Sequence, residues 1–157
     1  MTERWWLAWL AVPLAVTLSA HSAEAVGNRL GPRKPPPTLA KYVQDLTHSN
    51  AARRSYAGRV LLRQVKSARK AAATGPEDDL TKAGAMQVLV DFDQQVAPTC
   101  TRHLSVPEIT GACADILRLL ETQSALSALQ AQLQVETRRK VKKRLQKAIS
   151  RIEAVKK

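Results

Sequence analysis

The apolar residues in the middle of this chain recur with the spacing of an α-helix. Between residues 51 and 73 they step by four, four, three and four positions, at Ala57, Leu61, Val65, Ala68 and Ala72. A second row in the same segment is basic and steps by four, three and four positions, at Arg59, Arg63, Lys66 and Lys70. Together the two rows predict one amphipathic helix with an apolar face and a separate basic face.

Helical signals continue on both sides of this segment. Thr38 can act as the N-cap of a short leading helix, and Ser49-Asn50 marks either a kink or a new N-cap. Gly75-Pro76 predicts the end of one helix and the start of the next, which should run to about Val96. Residues 87–92 also fit a strand, but the length of the whole segment favours a helix.

Two more helices are predicted before the C-terminus. Ser105 and Glu108 have the spacing of a capping box, and Leu104 and Ile109 are placed to form a hydrophobic staple across it. The last helix should begin near residue 124, with a weak point around 136–140. Its basic row consists of Lys140, Arg144, Lys147 and Arg151. We therefore expect an all-α fold, a small up-and-down helical bundle of about four main helices over residues 38–157.

The first 25 residues have the features of a secretory signal peptide. Arg4 precedes an apolar run, and Ala23-Glu24-Ala25 supplies the small residues that a signal peptidase needs. The run is shorter than the roughly 20 residues that cross a bilayer, so we expect cleavage after Ala25 and then a Pro-rich linker over 26–37. The alternative is an uncleaved membrane anchor whose tryptophans lie at the interface.

The predicted mature chain, 26–157, is strongly basic. It has 24 Lys and Arg against 11 Asp and Glu, and its acidic residues concentrate between 77 and 121. The two basic rows predict docking on an acidic protein or assembly, or on an anionic membrane surface. Solvated faces and internal pairing with the acidic segment are the alternatives. Nucleic acid is disfavoured because no aromatic residues lie among the basic ones to stack on bases.

Cys100 and Cys113 are the only cysteines. Export to an oxidising compartment predicts a disulfide between them, and two free thiols are the alternative. Cys100, Cys113 and His103 would supply only three of the four ligands of a structural zinc site. We therefore expect no metal and no cofactor. The carboxylate pair Asp91 and Asp93 fits a solvated helix face, and no catalytic motif is present. The chain is therefore predicted not to be an enzyme.

Two resemblances bear on these predictions. Leu80–Met86 followed by Val88–Val90 resembles the third helix of an armadillo repeat, and residues 108–120 resemble the helix after it. This covers about one repeat, whereas a stable array needs three or more. A Pro-rich arm before a basic four-helix bundle is also similar in architecture to the lumenal extrinsic subunits of photosystem II.

The leading hypothesis is a non-enzymatic exported protein that docks through its basic helices. Its compartment could be the periplasm, the endoplasmic reticulum, the extracellular space or a thylakoid lumen. A membrane-tethered protein whose basic helices lie on anionic lipid is the first alternative. A secreted adaptor or effector is what the armadillo resemblance implies. The sequence leaves the identity of the partner and the oligomeric state open.

Overall fold

Residues 38–74 and 80–155 are described by the computed structural model, and they contain helices and turns but no strand. The predicted signal peptide with its cleavage position, the Pro-rich linker and the restart at Gly75-Pro76 lie outside the described residues. The helices are α1 (Leu39–Leu46), α2 (Ala51–Thr74), α3 (Leu80–Gln95), α4 (Ala97–Arg102), α5 (Thr110–Leu120), α6 (Leu126–Val135) and α7 (Arg139–Val155). The all-α prediction is therefore confirmed for the part of the chain that is described.

The first two helices begin at polar residues that the sequence indicated. The Thr38 hydroxyl accepts a hydrogen bond from the backbone N–H of Lys41 at 3.4 Å, so Thr38 caps α1. The Asn50 side-chain oxygen accepts from the N–H groups of Ala52 and Arg53 at 2.8 and 3.2 Å. The interruption before α2 is therefore a new N-cap, and α2 then covers the predicted helical segment.

The core surrounds α5, which packs against α2, α4 and α7. A Cβ on Gly58 of α2 would stand 3.2 Å from the Cβ of Ala112, so the two helices approach closely at a position without a side chain. Leu117 of α5 is fully buried, as are Leu61 of α2 and Leu145 of α7. Burial of each such side chain contributes about 1.5–3 kcal/mol. The predicted apolar row of α2 is confirmed at Ala57, Leu61, Val65 and Ala68, which are all buried.

The segment predicted as the third helix continues into a further helix. Residues 87–92 are helical and not extended, and Ala85 and Phe92 of α3 are buried. After Val96 the chain continues as α4, which the sequence analysis did not predict. Pro98 lies in the first turn of α4, where its missing N–H leaves no helical hydrogen bond unmade.

The predicted capping box at Ser105 and Glu108 is wrong. The helix α5 begins later, at Thr110, and has no side-chain cap. The N–H groups of Ile109 and Thr110 both bond to the carbonyl of Val106, at 3.1 and 3.0 Å, so a turn precedes α5. The Glu108 carboxylate instead pairs with Arg54 of α2 at 3.1 Å. The residues of the predicted staple are both buried, at Leu104 and Ile109.

The predicted last helix is wrong as one continuous element, because the chain breaks between α6 and α7 at the weak point. The buried Glu136 side chain accepts hydrogen bonds from the backbone N–H of Arg138 at 3.0 Å and from its guanidinium at 2.7 Å. This hydrogen bonding with the Arg138 guanidinium lowers the pKa of Glu136 to about 2. Arg138 also donates to the carbonyl of Pro107 at 2.7 Å. The turn before α7 is therefore tied to the loop before α5.

Candidate functional site

The four basic residues predicted on α2 form one exposed row, the α2 stripe. Its members are Arg59, Arg63, Lys66 and Lys70. At 100° per residue they lie within about 60° of one another around the helix, opposite the buried row, and the stripe is about 16 Å long. None of the four makes an ion pair with another residue of the described segments. Their charges therefore face solvent.

Two other arginines of α2 do contact acidic residues. Arg54 pairs with Glu108 at 3.1 Å and donates to the carbonyl of His48 at 2.8 Å. Arg69 pairs with Glu121, at the end of α5, at 2.7 Å. Both arginines flank the buried row, whereas the stripe lies opposite it. The internal charge pairing that the sequence offered as an alternative thus occurs on α2, but at residues outside the α2 stripe.

The basic row predicted on α7 divides into two pairs. Arg144 approaches Asp115 of α5 at 3.7 Å, and Arg151 pairs with Glu121 at 2.6 Å. A Cβ on Gly111 would stand 3.0 Å from a guanidinium nitrogen of Arg144, so that side chain lies across α5. These two arginines border the contact between α5 and α7, and we assign them to internal pairing.

The other two predicted residues of α7 are exposed. Lys140 and Lys147 make no ion pair within the described residues, and exposed Arg139 and Lys143 lie on the same side of the helix. We name the four residues the α7 outer face. The sequence analysis did not include Arg139 and Lys143. The spacing of four residues from 139 to 143 to 147 does indicate a shared face, opposite the inward-facing Leu145.

The predicted disulfide partners are neighbours in the core. Cys100 of α4 and Cys113 of α5 are both fully buried and present as free thiols. They lie near the distance of a disulfide. A hydrogen bond with Cys113, together with burial, raises the pKa of the Cys100 thiol well above its usual range. The pair is thus placed for the predicted bridge, which itself stays a prediction.

Carboxylates and histidines are separated in the described segments. Asp91 accepts a hydrogen bond from Gln87 at 3.0 Å, and Asp93 accepts one from Thr122 at 2.9 Å. His48 lies at the start of α2, where its Nδ1 accepts from the N–H of Asn50. Within residues 38–74 and 80–155, no three His, Cys, Asp or Glu side chains are grouped so that they could hold a metal ion.

Among the described helices, none combines the length and the apolar character needed to cross a membrane. Comparison with protein-family models, with curated proteins and with solved structures gave no match.

Proposed function

We propose that this is a non-enzymatic, exported helical protein that docks on an acidic protein or larger assembly. The α2 stripe makes the main contact, and the α7 outer face makes a second one. One observation carries the proposal: the arginines of α2 beside the core are paired with acids, whereas all four residues of the α2 stripe are exposed and unpaired within the described residues. An unpaired row of like charge favours an anionic partner over self-association.

The proposal includes the finer organisation that the sequence predicts. The chain would be cleaved after Ala25, carry a Pro-rich arm over 26–37, and bury its helices in an up-and-down bundle. In the oxidising compartment a Cys100–Cys113 disulfide would form, and the closeness of the two cysteines supports that pairing. The intact mass of natively produced protein tests these points together. A chain that starts at Val26 and lacks two hydrogens supports them, whereas a retained Met1 with free thiols contradicts them.

Docking is tested with a defined acidic polymer because the partner is unidentified. Fluorescently labelled poly-L-glutamate is titrated with the full chain and with a variant in which all four residues of the α2 stripe are replaced by Gln. We expect at least a tenfold loss of affinity at low ionic strength, since several exposed ion pairs of about 0.2–1 kcal/mol each are removed. Equal binding by both proteins would mean that the α2 stripe is only a solvated face.

The membrane-tethered alternative is tested with vesicles. The full chain is sedimented with phosphatidylcholine vesicles that either contain or lack phosphatidylserine. Our proposal predicts stronger binding to poly-L-glutamate than to the anionic vesicles. Cosedimentation that needs phosphatidylserine and the α2 stripe, without binding to the polymer, would favour basic helices lying on lipid.

A further inference from the structure

A cleft lined by α2, α3, α5 and α7 collects three arginines. Its cavity has a volume of about 510 Å³, and it is lined by Arg69, Arg118 and Arg151 together with Glu121. Three guanidinium groups and one carboxylate line the cleft, and Asp115 approaches Arg118 from outside the lining, so the cleft has an excess of positive charge. This cleft does not include the α2 stripe or the α7 outer face.

Two of these arginines are held in place by Glu121. One oxygen of this carboxylate forms an ion pair with Arg69 at 2.7 Å and accepts a hydrogen bond from Arg151 at 2.6 Å. Glu121 has a φ of 58°, and it is the only non-glycine residue with positive φ in the described segments. A left-handed conformation is unfavourable for a residue with a Cβ, and the ion pairs with the two arginines offset that cost. Their guanidinium groups are therefore fixed before any ligand arrives, which lowers the ordering cost of binding.

Donors remain for a ligand. The buried Nε of Arg118 faces Asp115 at 3.6 Å. The rest of the Arg118 guanidinium makes no hydrogen bond within the described residues, and the side chain is partly exposed. Arg69 and Arg151 use Nε and Nη2 for contacts with Leu119 and Glu121. Their Nη1 groups make no hydrogen bond to another described residue. Unpaired guanidinium donors beside a cavity match the oxygens of a carboxylate or a phosphate.

The cleft continues into an apolar groove between α3 and α5. A second cavity of about 280 Å³ shares Arg69, Met86 and Leu119 with the first. Its wall adds the apolar Leu89, Val90 and Leu120, and the polar Asp93 and Gln94 stand at its border. Met86 and Val90 are exposed by 52% and 45%, although both are apolar. A ligand that fits both cavities would combine an anionic group with an apolar chain.

We propose that this cleft binds a single-chain amphiphile with an anionic head, such as an alkyl phosphate or a fatty acid. The head lies among Arg69, Arg118 and Arg151, and the chain lies along Met86 and Val90. Charge complementarity selects the head, and the unpartnered apolar side chains select the tail. This site is independent of the proposed docking function, because it uses different residues.

The methionine content allows a direct test. The full chain has two methionines, so protein labelled with ¹³C-methyl methionine gives few NMR signals, and Met86→Leu identifies that of Met86. Dodecyl phosphate, titrated below its critical micelle concentration, should shift the Met86 signal in a saturable way. Inorganic phosphate and dodecyl maltoside, which supply the head or the tail alone, should bind at least tenfold more weakly. Affinity should rise about two- to fourfold with each added CH₂.

Variants separate this site from the docking surface. Arg118→Gln should weaken dodecyl phosphate binding about tenfold, while the matched Arg63→Gln should leave it unchanged. Val90→Glu, a substitution at an exposed position, places a charge beside the alkyl chain and should also weaken dodecyl phosphate binding. This second variant keeps the test valid if Arg118→Gln fails to fold. An unmoved Met86 signal, or equal binding by wild type and both cleft variants, would overturn the proposal. So would equal binding of inorganic phosphate or dodecyl maltoside, or tighter binding of an apolar peptide with a free C-terminal carboxylate.

Discussion

Helices α2 and α7 pack on the same central helix, α5, and each carries a row of four basic residues predicted from the sequence. On α2 the whole row faces solvent, and the paired arginines, Arg54 and Arg69, lie at other positions. On α7 half of the row, Arg144 and Arg151, contacts acids of α5. Two helices with similar basic rows therefore differ in how many of those residues form ion pairs within the protein.

The difference arises from where the acids of α5 lie. Asp115 of α5 and Glu121, which directly follows α5, both lie within reach of α7, so a basic residue on that flank of α7 meets a carboxylate. Glu121 also pairs with Arg69 of α2, but not with a residue of the α2 stripe. The α2–α5 contact is instead close and apolar at Gly58, and its ion pairs stand toward the ends of α2. A basic row indicates a docking surface only after the residues that pair internally are removed from it.

The first prediction concerns the hydrophobic core to which both α2 and α7 contribute, and it has the largest expected change in the free energy of unfolding. Leu61→Ala on α2 and Leu145→Ala on α7 each delete a fully buried side chain. Both should lower the free energy of unfolding by about 2–5 kcal/mol. Urea denaturation followed by circular dichroism measures it. A loss below about 1 kcal/mol in either variant would mean that this helix is not part of the common core.

The second prediction concerns acid. The pKa of Glu136 falls to about 2 because of its hydrogen bonds with Arg138 at the start of α7. Since the folded pKa lies below the unfolded one, this stabilisation is present above about pH 4.5 and is lost as the pH falls toward 2. After allowance for solvent screening, it should be about 1–2 kcal/mol.

Glu136→Gln provides the control for that prediction. The free energy of unfolding, measured at pH 6 and at several values down to pH 2, should fall less steeply for the variant than for the wild type. The two proteins should converge in acid, where the wild-type carboxyl is protonated. Parallel pH curves would show that the Glu136–Arg138 pair does not stabilise the start of α7.

The third prediction compares a paired with an unpaired residue on α7. Arg151 contacts Glu121, whereas Lys147 has no ion pair in the described residues. A double-mutant cycle of Arg151→Gln with Glu121→Gln should give a coupling of about 0.5–1 kcal/mol. The same cycle with Lys147→Gln should give a value near zero. Equal coupling energies for Arg151 and Lys147 would contradict the division of the α7 row into paired arginines and unpaired lysines.

The smallest effect is expected on the α2 stripe. Arg63→Gln should change the free energy of unfolding by less than about 0.5 kcal/mol, because the side chain is exposed and unpaired within the described residues. Thermal unfolding in parallel with Arg69→Gln, whose guanidinium contacts Glu121, supplies the matched comparison. A clearly destabilised Arg63→Gln would mean that the α2 stripe has a structural role.

Local signals in the sequence predicted much of the fold. Thr38 and Asn50 cap helices as polar residues before an apolar period should. The capping box failed because Glu108 bonds to Arg54, a residue distant in sequence, and no local pattern contains that contact. The break before α7 was visible only as a weak point, since its cause is a network from Glu136 to Pro107 across two loops.

The candidate site was also predictable only where it depends on local sequence patterns and not on contacts between distant residues. The exposure of the α2 stripe follows from its position opposite the apolar row, which periodicity alone defines. The pairing of Arg144 and Arg151 depends on which flank of α7 meets Asp115 and Glu121, and one sequence does not reveal that orientation. The arginine cleft was missed because Arg69, Arg118 and Arg151 come from three helices.

The salt dependence of docking separates a binding role of the α2 stripe from a binding role of the paired arginines of α7. The affinity for poly-L-glutamate is measured over a range of salt concentrations for the wild type and for two variants of equal charge, Arg59→Gln with Arg63→Gln and Arg144→Gln with Arg151→Gln. The α2 pair should lower both the affinity and the slope of log affinity against log salt, whereas the α7 pair should leave the slope close to wild type. A slope reduced equally by both pairs, or by the α7 pair alone, would contradict the assignment of the α2 stripe as the docking surface.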